Sequence, residues 1–264
     1  MRKRKISELK ALARKSMDGY YSLLAGALVL ISFLSGIGGT MSVMLFQGNS
    51  MFNLVMSQIF SLIISVIMSV FSAGVYYMFL NVSRGKKTSL QDVVYLFYHH
   101  PDRIIVVSLI VTVVQYLLTL PSIIMNYRID FNANLLEIAQ QSAMVSLVMF
   151  AGIMVAQLVT MPIALSYYLL IDDLEMEASQ ALKKSIKLMK GNYGRYIYMQ
   201  LSFLGLMLLG VLTLYVGFIW IMPYMQMTEI EFYREIMGEF DQKKEETAVP
   251  SGETWQSDAC NAEG

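Results

Sequence analysis

The sequence predicts an all-α, polytopic membrane protein of about five transmembrane helices, with basic amphipathic helices on the cytoplasmic face. Composition is the first observation: 56% of the 264 residues are hydrophobic and 15% are charged, and the mean hydropathy of +0.52 lies outside the range of soluble domains. The second is that five stretches lack Asp, Glu, Lys and Arg and reach the about 20 residues that cross a bilayer. The third is that Lys and Arg concentrate in alternate connections.

The chain is predicted to start with a basic amphipathic helix over residues 1–19, ahead of a transmembrane domain over 20–222. The spans are expected near residues 20–46, 54–82, 104–127, 142–171 and 196–222. The first apolar stretch is much longer than the about 7 to 15 residues of a signal-peptide core, so we expect it to be retained. Pro162 lies inside the fourth span and predicts a kink there, because proline removes a backbone donor.

Basic residues predict the orientation in the cell membrane. Seven Lys and Arg lie in residues 1–19, four in 83–103 and five in 172–195; these are the three basic segments. The remaining four are Arg128 and three residues after Pro223. Such alternation predicts a cytoplasmic N-terminus and, with five spans, an extracellular C-terminus. The odd span count leaves open a sixth, shallow or re-entrant segment.

The third basic segment is predicted to contain an amphipathic helix over residues 173–190. At about 100° per residue, its lysines fall within an arc of about 120°: Lys183, Lys184, Lys187 and Lys190. The opposite side is expected to hold Ala178, Ala181, Leu182, Ser185, Ile186, Leu188 and Met189. Acidic residues suit the helix start: Asp172, Asp173, Glu175 and Glu177. Gly191 and Asn192 suit a left-handed helix end.

Several of these residues carry a resemblance to a known family. The run EASQALKKSIKLMKGNYGRYIYMQLSF resembles bacterial integral membrane proteins catalogued as domain of unknown function 975. ISELKALARKSMDGYY and SRGKKTSLQDVVYLF fit the same pattern, so the resemblance reaches about Glu239. Its family-motif residues here are Ser185, Gly191, Asn192, Ser202, Phe203, Gly205, Pro223 and Tyr224. Leu206 departs from the tryptophan that commonly follows the Ser-Phe-x-Gly group. The resemblance implies a multi-pass membrane protein and no particular activity.

The sequence lacks the familiar motifs of catalysis and metal binding. It has no nucleophile elbow, P-loop, zinc-protease motif or dinucleotide fingerprint, so we expect neither an enzyme nor a cofactor. His99, His100 and Asp102 are too few to predict a metal site, and they fit a loop that ends at a helix start with Pro101 in the first turn. Cys260 is the single cysteine, which excludes a cysteine metal cluster within the chain.

Polar side chains inside the predicted spans are amides with scattered Ser, Thr and Tyr. The amides are Gln58, Gln115, Gln157 and Gln200. An ion-coupled carrier usually keeps ionisable groups at this depth, and the predicted spans contain none. Hydrogen bonds between helices are therefore favoured over a solute pathway. If Gln157 and Gln200 line a hydrated cavity, that cavity is the first place to look for a substrate.

These observations favour a non-enzymatic membrane module that contacts lipid headgroups or a partner membrane protein. The expected contact residues are Lys183, Lys184, Lys187, Lys190 and Arg195. The alternative is a permease or accessory subunit of a transporter for a small or amphiphilic solute. Nucleic acid is not an expected partner; twenty basic and twenty acidic residues balance, so the overall charge itself says nothing about it. Residues 223–240 are predicted to form an interfacial segment on the extracellular side, and 241–264 a disordered tail.

Overall fold

The computed structural model describes residues 3–48, 50–99, 101–130 and 133–241. All regular structure within these residues is helical, which confirms the predicted all-α class. The α-helices are α1 (Ile6–Ser16), α2 (Tyr21–Leu45), α3 (Met51–Ser83), α4 (Tyr95–Tyr98), α5 (Pro101–Tyr127), α6 (Leu135–Thr160), α7 (Ser166–Asp172), α8 (Ala178–Met189), α9 (Tyr193–Leu201), α10 (Leu204–Leu212) and α11 (Phe218–Met237). Short 3-10 segments cover Leu90–Val94 and Met161–Ile163.

Five helical segments are long and apolar enough to cross a membrane, which confirms the predicted number. They are Tyr21–Leu45, Met51–Ser83, Pro101–Tyr127, Leu135–Asp172 and Tyr193–Leu212. The fourth is interrupted by the 3-10 segment that contains Pro162, as the predicted kink requires. Pro101 is the first residue of α5 and Asp102 lies in its first turn, so the loop interpretation of this stretch is confirmed.

The second span is much longer than a bilayer is thick. Its 33 residues rise about 50 Å, against a hydrocarbon core of about 30 Å. Residues 51–69 are exposed or half-buried, whereas residues from Val70 onward are mostly buried. We infer that the first part of α3 faces lipid and that the last part continues out of the bilayer into a protein core.

That core lies where α1, the end of α3, α7 and α11 meet. Its fully buried side chains include Leu9, Met78, Phe79, Leu165, Leu169, Phe232 and Tyr233. Contacts also join the three basic segments here, since Arg84 pairs with Asp172 at 2.6 Å and Lys3 Nζ donates to the Gly191 carbonyl at 3.2 Å. The three segments therefore share one side of the molecule, which we call the basic side.

The fifth apolar stretch forms a hairpin with α11. After α10 the chain reverses at residues 213–217, where Leu214 and Tyr215 have positive φ angles of 51° and 68°. Helix α11 then returns antiparallel, so that the rings of Phe203 and Tyr224 lie 5.4 Å apart. The predicted span over residues 196–222 is wrong at its C-terminal end. Hydropathy missed the reversal because the sequence stays apolar through the turn.

The hairpin does not extend as far as α3. Arg234 of α11 donates to the Ser83 carbonyl at 2.6 Å, which aligns the two helix ends on the basic side. From Arg234 back to Phe218 an α-helix rises about 24 Å, roughly half the length of α3. Both ends of the hairpin therefore lie on the basic side, and the hairpin reaches about half as far from that side as α3 does, which fits the re-entrant segment that the odd span count left open.

The end of α11 accordingly lies beside the N-terminal segment. The backbone N–H of Arg4 donates to the Glu235 carboxylate, and the Arg4 guanidinium lies 4.1 Å from the ring centroid of Phe240. The prediction that residues 223–240 lie on the side opposite the N-terminus is therefore wrong, because the chain turns back at residues 213–217 and α11 returns to the basic side. Residues 242–264, predicted to be disordered, lie outside the described residues.

Candidate functional site

Helix α8 is docked by one narrow face. Ala181, Ser185 and Met189 are buried and recur every four residues, so they lie in one row along the helix. Ser185 Oγ donates to the Pro162 carbonyl at 2.8 Å. This carbonyl belongs to the 3-10 segment that breaks the fourth span. The hydrogen bond therefore fixes α8 against the kink.

The opposite face of α8 carries the predicted lysines. Lys183, Lys187 and Lys190 are exposed, and Lys184 is half-buried. Within the described part of the chain, none of the four forms an ion pair. Ile186 is 46% exposed between them, although its place on the helical wheel predicts burial. The docked row is narrower than the predicted apolar side, which leaves Ile186 on a mixed basic and apolar surface.

The residues next to α8 in the sequence explain how the helix ends but not how it begins. Gly191 has a φ angle of +87°, as the predicted left-handed helix end requires, and Asn192 Nδ2 donates to the Leu188 carbonyl at 2.9 Å. At the other end Glu177 occupies the N-cap position without a capping hydrogen bond from its side chain. The capping interpretation is also wrong for Asp172, because this carboxylate binds Arg84 instead.

Arg195 does not join the lysines. Its Nη2 donates to the Glu235 carboxylate at 2.7 Å and to the Arg4 carbonyl at 2.7 Å. These contacts tie α9 to the end of α11 and to the N-terminal segment. The predicted headgroup contact at Arg195 is therefore replaced by a structural ion pair.

The family-motif residues at the hairpin hold α1. Lys10 Nζ lies 3.8 Å from the ring centroid of Phe203 and donates to the Ser202 carbonyl at 3.0 Å. Burial, aided by the charge of Arg14, lowers the pKa of Lys10. Phe203 is buried and packs edge-on against Tyr224. This motif group therefore positions α1 on the hairpin.

The other two motif residues of this region have different surroundings. Pro223 is buried inside α11. Gly205 has open space around its Cα, and nothing in the structure explains why glycine stands there.

A network of partly buried charges, which the sequence reasoning missed, holds α11 in place. Arg84 binds Asp172 through two hydrogen bonds of 2.6 and 3.0 Å and also pairs with Glu239. Arg234 Nε donates to Glu239 at 2.8 Å, and its Nη1 donates to Glu231 at 3.0 Å. Burial acts to raise the pKa of Glu239, but the hydrogen bonds from both arginines hold it below its usual value.

Glu229 lies outside this network, in aromatic surroundings. Its Oε1 accepts a hydrogen bond of 2.7 Å from the Tyr196 hydroxyl. Among the described residues Glu229 forms no ion pair. Burial raises the pKa of this carboxyl, although the hydrogen bonds from Tyr196 and Tyr168 oppose the effect. Glu229 is thus a carboxyl whose protonated form suits its site.

The motif group and the charged network reach from the N-terminal segment to Glu239, and the family profile covers the same length. The profile described as "Protein of unknown function (DUF975)" matches residues 1–239. The chain belongs to the DUF975 family. No curated protein and no solved structure matches it. Among the residues that the structure describes, no three or more His, Cys, Asp or Glu side chains of the DUF975 chain lie close enough together to hold a metal ion.

Proposed function

We propose that the protein is a non-enzymatic module of the cell membrane whose basic side lies in the cytoplasm and binds anionic lipid headgroups through α8. The observation that carries this proposal is the exposed face of α8. Lys183, Lys187 and Lys190 are exposed there without a carboxylate partner in the described chain, and they flank the exposed Ile186. An interfacial helix needs both features, because its apolar side chains enter the acyl boundary while its cations meet phosphates.

The N-terminal segment supports this role less strongly, because two of its cations make internal contacts, whereas Lys5, Arg14 and Lys15 are exposed. Lys3 binds the Gly191 carbonyl, and Lys10 binds the Ser202 carbonyl and the Phe203 ring. Each free lysine near an anionic surface contributes about 1 kcal/mol. The three exposed lysines of α8 therefore supply about 3 kcal/mol, which is on the order of 100-fold in the preference for anionic over neutral lipid.

The test compares two charge-matched double variants. Lys183→Gln with Lys187→Gln removes two cations from α8, and Lys86→Gln with Lys87→Gln removes two exposed cations from the loop after α3. Each purified protein is reconstituted with phosphatidylglycerol and phosphatidylcholine, and the lipid retained after detergent washing is measured by mass spectrometry. We expect the α8 variant to lose phosphatidylglycerol by about tenfold or more, and the loop variant, whose lysines do not lie on a docked amphipathic helix, to lose distinctly less. Equal retention would contradict the proposal.

A partner membrane protein is the other occupant that this surface fits. In that case the α8 variant would retain phosphatidylglycerol but lose a protein that co-purifies from native membranes with the unaltered chain. That result would replace lipid binding with protein binding as the function of α8.

A second candidate function, a transport component for a small solute, is favoured by a different observation. A cavity of about 470 Å³, lined in part by Ser, Thr and Gln side chains, lies between α2, α3 and α5, within the part of the molecule that faces lipid. Purified protein in liposomes provides the test. Solute flux that depends on the protein would support the transport function, and its absence for every small solute tried would count against it.

A further inference from the structure

Hydroxyl and amide side chains form part of the wall of the cavity between α2, α3 and α5, and no charged side chain lines it. Its volume is about 470 Å³, in the range of about 300 to 1,000 Å³ typical of small-molecule sites. Hydroxyl and amide groups line it, among them Ser61, Ser65, Ser69, Thr112 and Gln115. None of its lining residues is Asp, Glu, Lys or Arg. The wall therefore offers hydrogen bonds without a counter-charge.

Two further cavities adjoin the first, and one of them extends it towards one end of the helices. One of about 340 Å³ shares Thr112 and Gln115 with it, and one of about 400 Å³ shares Ser61. The latter extends to Gln47 and Gln58, near the turn between α2 and α3. That turn lies at the end of both helices that is remote from the basic side. The first and third cavities therefore form a row, here called the passage, from that end into the molecule.

The passage ends towards the basic side at a pair of tyrosines. Tyr76 and Tyr167 both line the first cavity, and their rings meet edge-on with centroids 6.4 Å apart. Behind them Tyr168 packs on Tyr76 at 5.7 Å and hydrogen-bonds to Gln226 of the hairpin helix at 2.7 Å. The passage therefore begins near the turn between α2 and α3 and ends at these tyrosines.

Helix α3 shows that the polar wall is a separate face of the helix. Ser61, Ser65 and Ser69 recur every four residues and line the cavity. Ile59, Ile63 and Ile67 recur with the same spacing, are 48%, 51% and 41% exposed, and do not line it. A helix that divides its polar and apolar side chains in this way presents one face to lipid and the other to something polar.

The polar side chains on this face of α3 can form more hydrogen bonds than those they form within the protein. The hydroxyls of Ser65 and Ser69 donate to carbonyls of their own helix, at 2.8 Å to Leu62 and 2.6 Å to Val66. Each hydroxyl oxygen still has lone pairs that can accept a hydrogen bond, and Gln115 has both donors and an acceptor. Lipid tails can satisfy none of these groups. Water or a polar ligand can.

We propose that this cavity is a water-accessible binding site for an uncharged polar molecule rich in hydroxyl or amide groups, entered from the side opposite the basic side. A charged ligand is disfavoured because no opposite charge lines the wall to offset its desolvation. Binding at this site does not depend on the proposed transport function; only the release of the bound molecule across the membrane would rest on it. It states the substrate class and the side of entry, and both can be tested without any flux.

The experiment uses single cysteines in the full chain. Replacing Cys260 by serine leaves no other cysteine in the sequence. Ser65→Cys and Ser69→Cys then place a thiol on the cavity face of α3, and Ile63→Cys and Ile67→Cys place one on its apolar face at matched depth. Methanethiosulfonates form a mixed disulfide with a thiolate and release methanesulfinate. They report water access, because a thiol ionises readily only where water or a positive charge stabilises the thiolate.

Three reagents are added from the side opposite the basic side: the uncharged 2-hydroxyethyl reagent, the anionic 2-sulfonatoethyl reagent and the cationic 2-trimethylammonioethyl reagent. We expect the uncharged reagent to modify the two serine positions about tenfold faster or more than the two isoleucine positions. We also expect it to exceed both charged reagents at Ser69→Cys, after correction for their rates with a free thiol. Equal rates on both faces, or charged reagents that react as fast, would overturn the proposal.

The outcomes separate this site from the transport function. Fast labelling of the cavity face without solute flux would leave the binding site standing and reject transport. If a second copy of the chain filled the groove, Ser65→Cys would form disulfide-linked dimers and resist labelling, which would reject the site. Serine and cysteine are nearly isosteric, and elution of each variant as the unaltered protein does on gel filtration confirms that it folds.

Discussion

Arg234 is the residue whose replacement tests the charged network most sharply. Its side chain is 9% exposed and donates hydrogen bonds to Ser83, Glu231 and Glu239. The variant Arg234→Met keeps much of the side-chain length and removes the charge. Glu231, which is fully buried, then keeps a single hydrogen bond, 2.7 Å from Ser16.

The size of the effect depends on the charges that the variant leaves behind. Removing one partner of a buried ion pair costs about 3–5 kcal/mol, because the other charge stays buried without compensation. Glu239 is less buried and keeps its pairing with Arg84, so the lower end, about 3 kcal/mol, is expected. Adding Glu231→Gln to Arg234→Met removes the orphaned charge. The double variant is therefore expected to lose only about 1–2 kcal/mol.

The free energy of unfolding is measured by titrating the detergent-solubilised protein with sodium dodecyl sulfate and following helix content by circular dichroism. Arg128→Met is the matched control, because Arg128 is exposed on the side opposite the network and its loss is expected to change stability by less than about 0.5 kcal/mol. The reasoning is refuted if Arg234→Met behaves like Arg128→Met. It is also refuted if the double variant is no more stable than the single one.

Two further predictions concern packing and pH. Gly74→Ala is expected to destabilise the protein by about 1–3 kcal/mol, because its Cβ would lie 2.0 Å from the Val93 carbonyl oxygen. Gly26→Ala is the control and is not expected to destabilise the protein, because its Cβ would lie in open space. Thermal unfolding of the two variants measures the difference. Burial raises the pKa of Glu229, so the stability this carboxyl contributes is complete below its unfolded-state pKa and is lost as pH rises through its folded-state pKa. Glu229→Gln cannot ionise and is expected to lose less thermal stability than the unaltered protein between about pH 5 and about pH 8; an identical loss would contradict this.

The sequence predicted those features of the fold that depend on residues close together in the chain. The five apolar segments, the kink at Pro162 and the left-handed Gly191 each follow from neighbouring residues. The hairpin does not, because its turn depends on a close approach of backbones. A Cβ on Gly217 would lie 3.1 Å from the Gly210 Cα. Hydropathy assigns the same value to an apolar chain whether it continues or turns back.

The functional features were missed for two different reasons. The network joins Arg84 to partners 88 and 155 residues away, and no local pattern encodes such pairings. The cavity did leave a signal, since Ser61, Ser65 and Ser69 recur at helical spacing on α3. Treating those serines as scattered directed attention to Gln157 and Gln200, which do not line the cavity, whereas Gln115 does.

The return of the hairpin to the basic side is tested most directly by sidedness of labelling. Single cysteines replace Lys3, Leu135 or Asp241 in the Cys260→Ser chain, and an impermeant maleimide is applied to oriented vesicles. Lys3 and Leu135 are exposed at opposite ends of the spans, and Asp241 follows α11. Cysteines at positions 3 and 241 are expected to react from the same side and the one at 135 from the other. Reaction at 241 together with 135 would contradict the re-entrant hairpin.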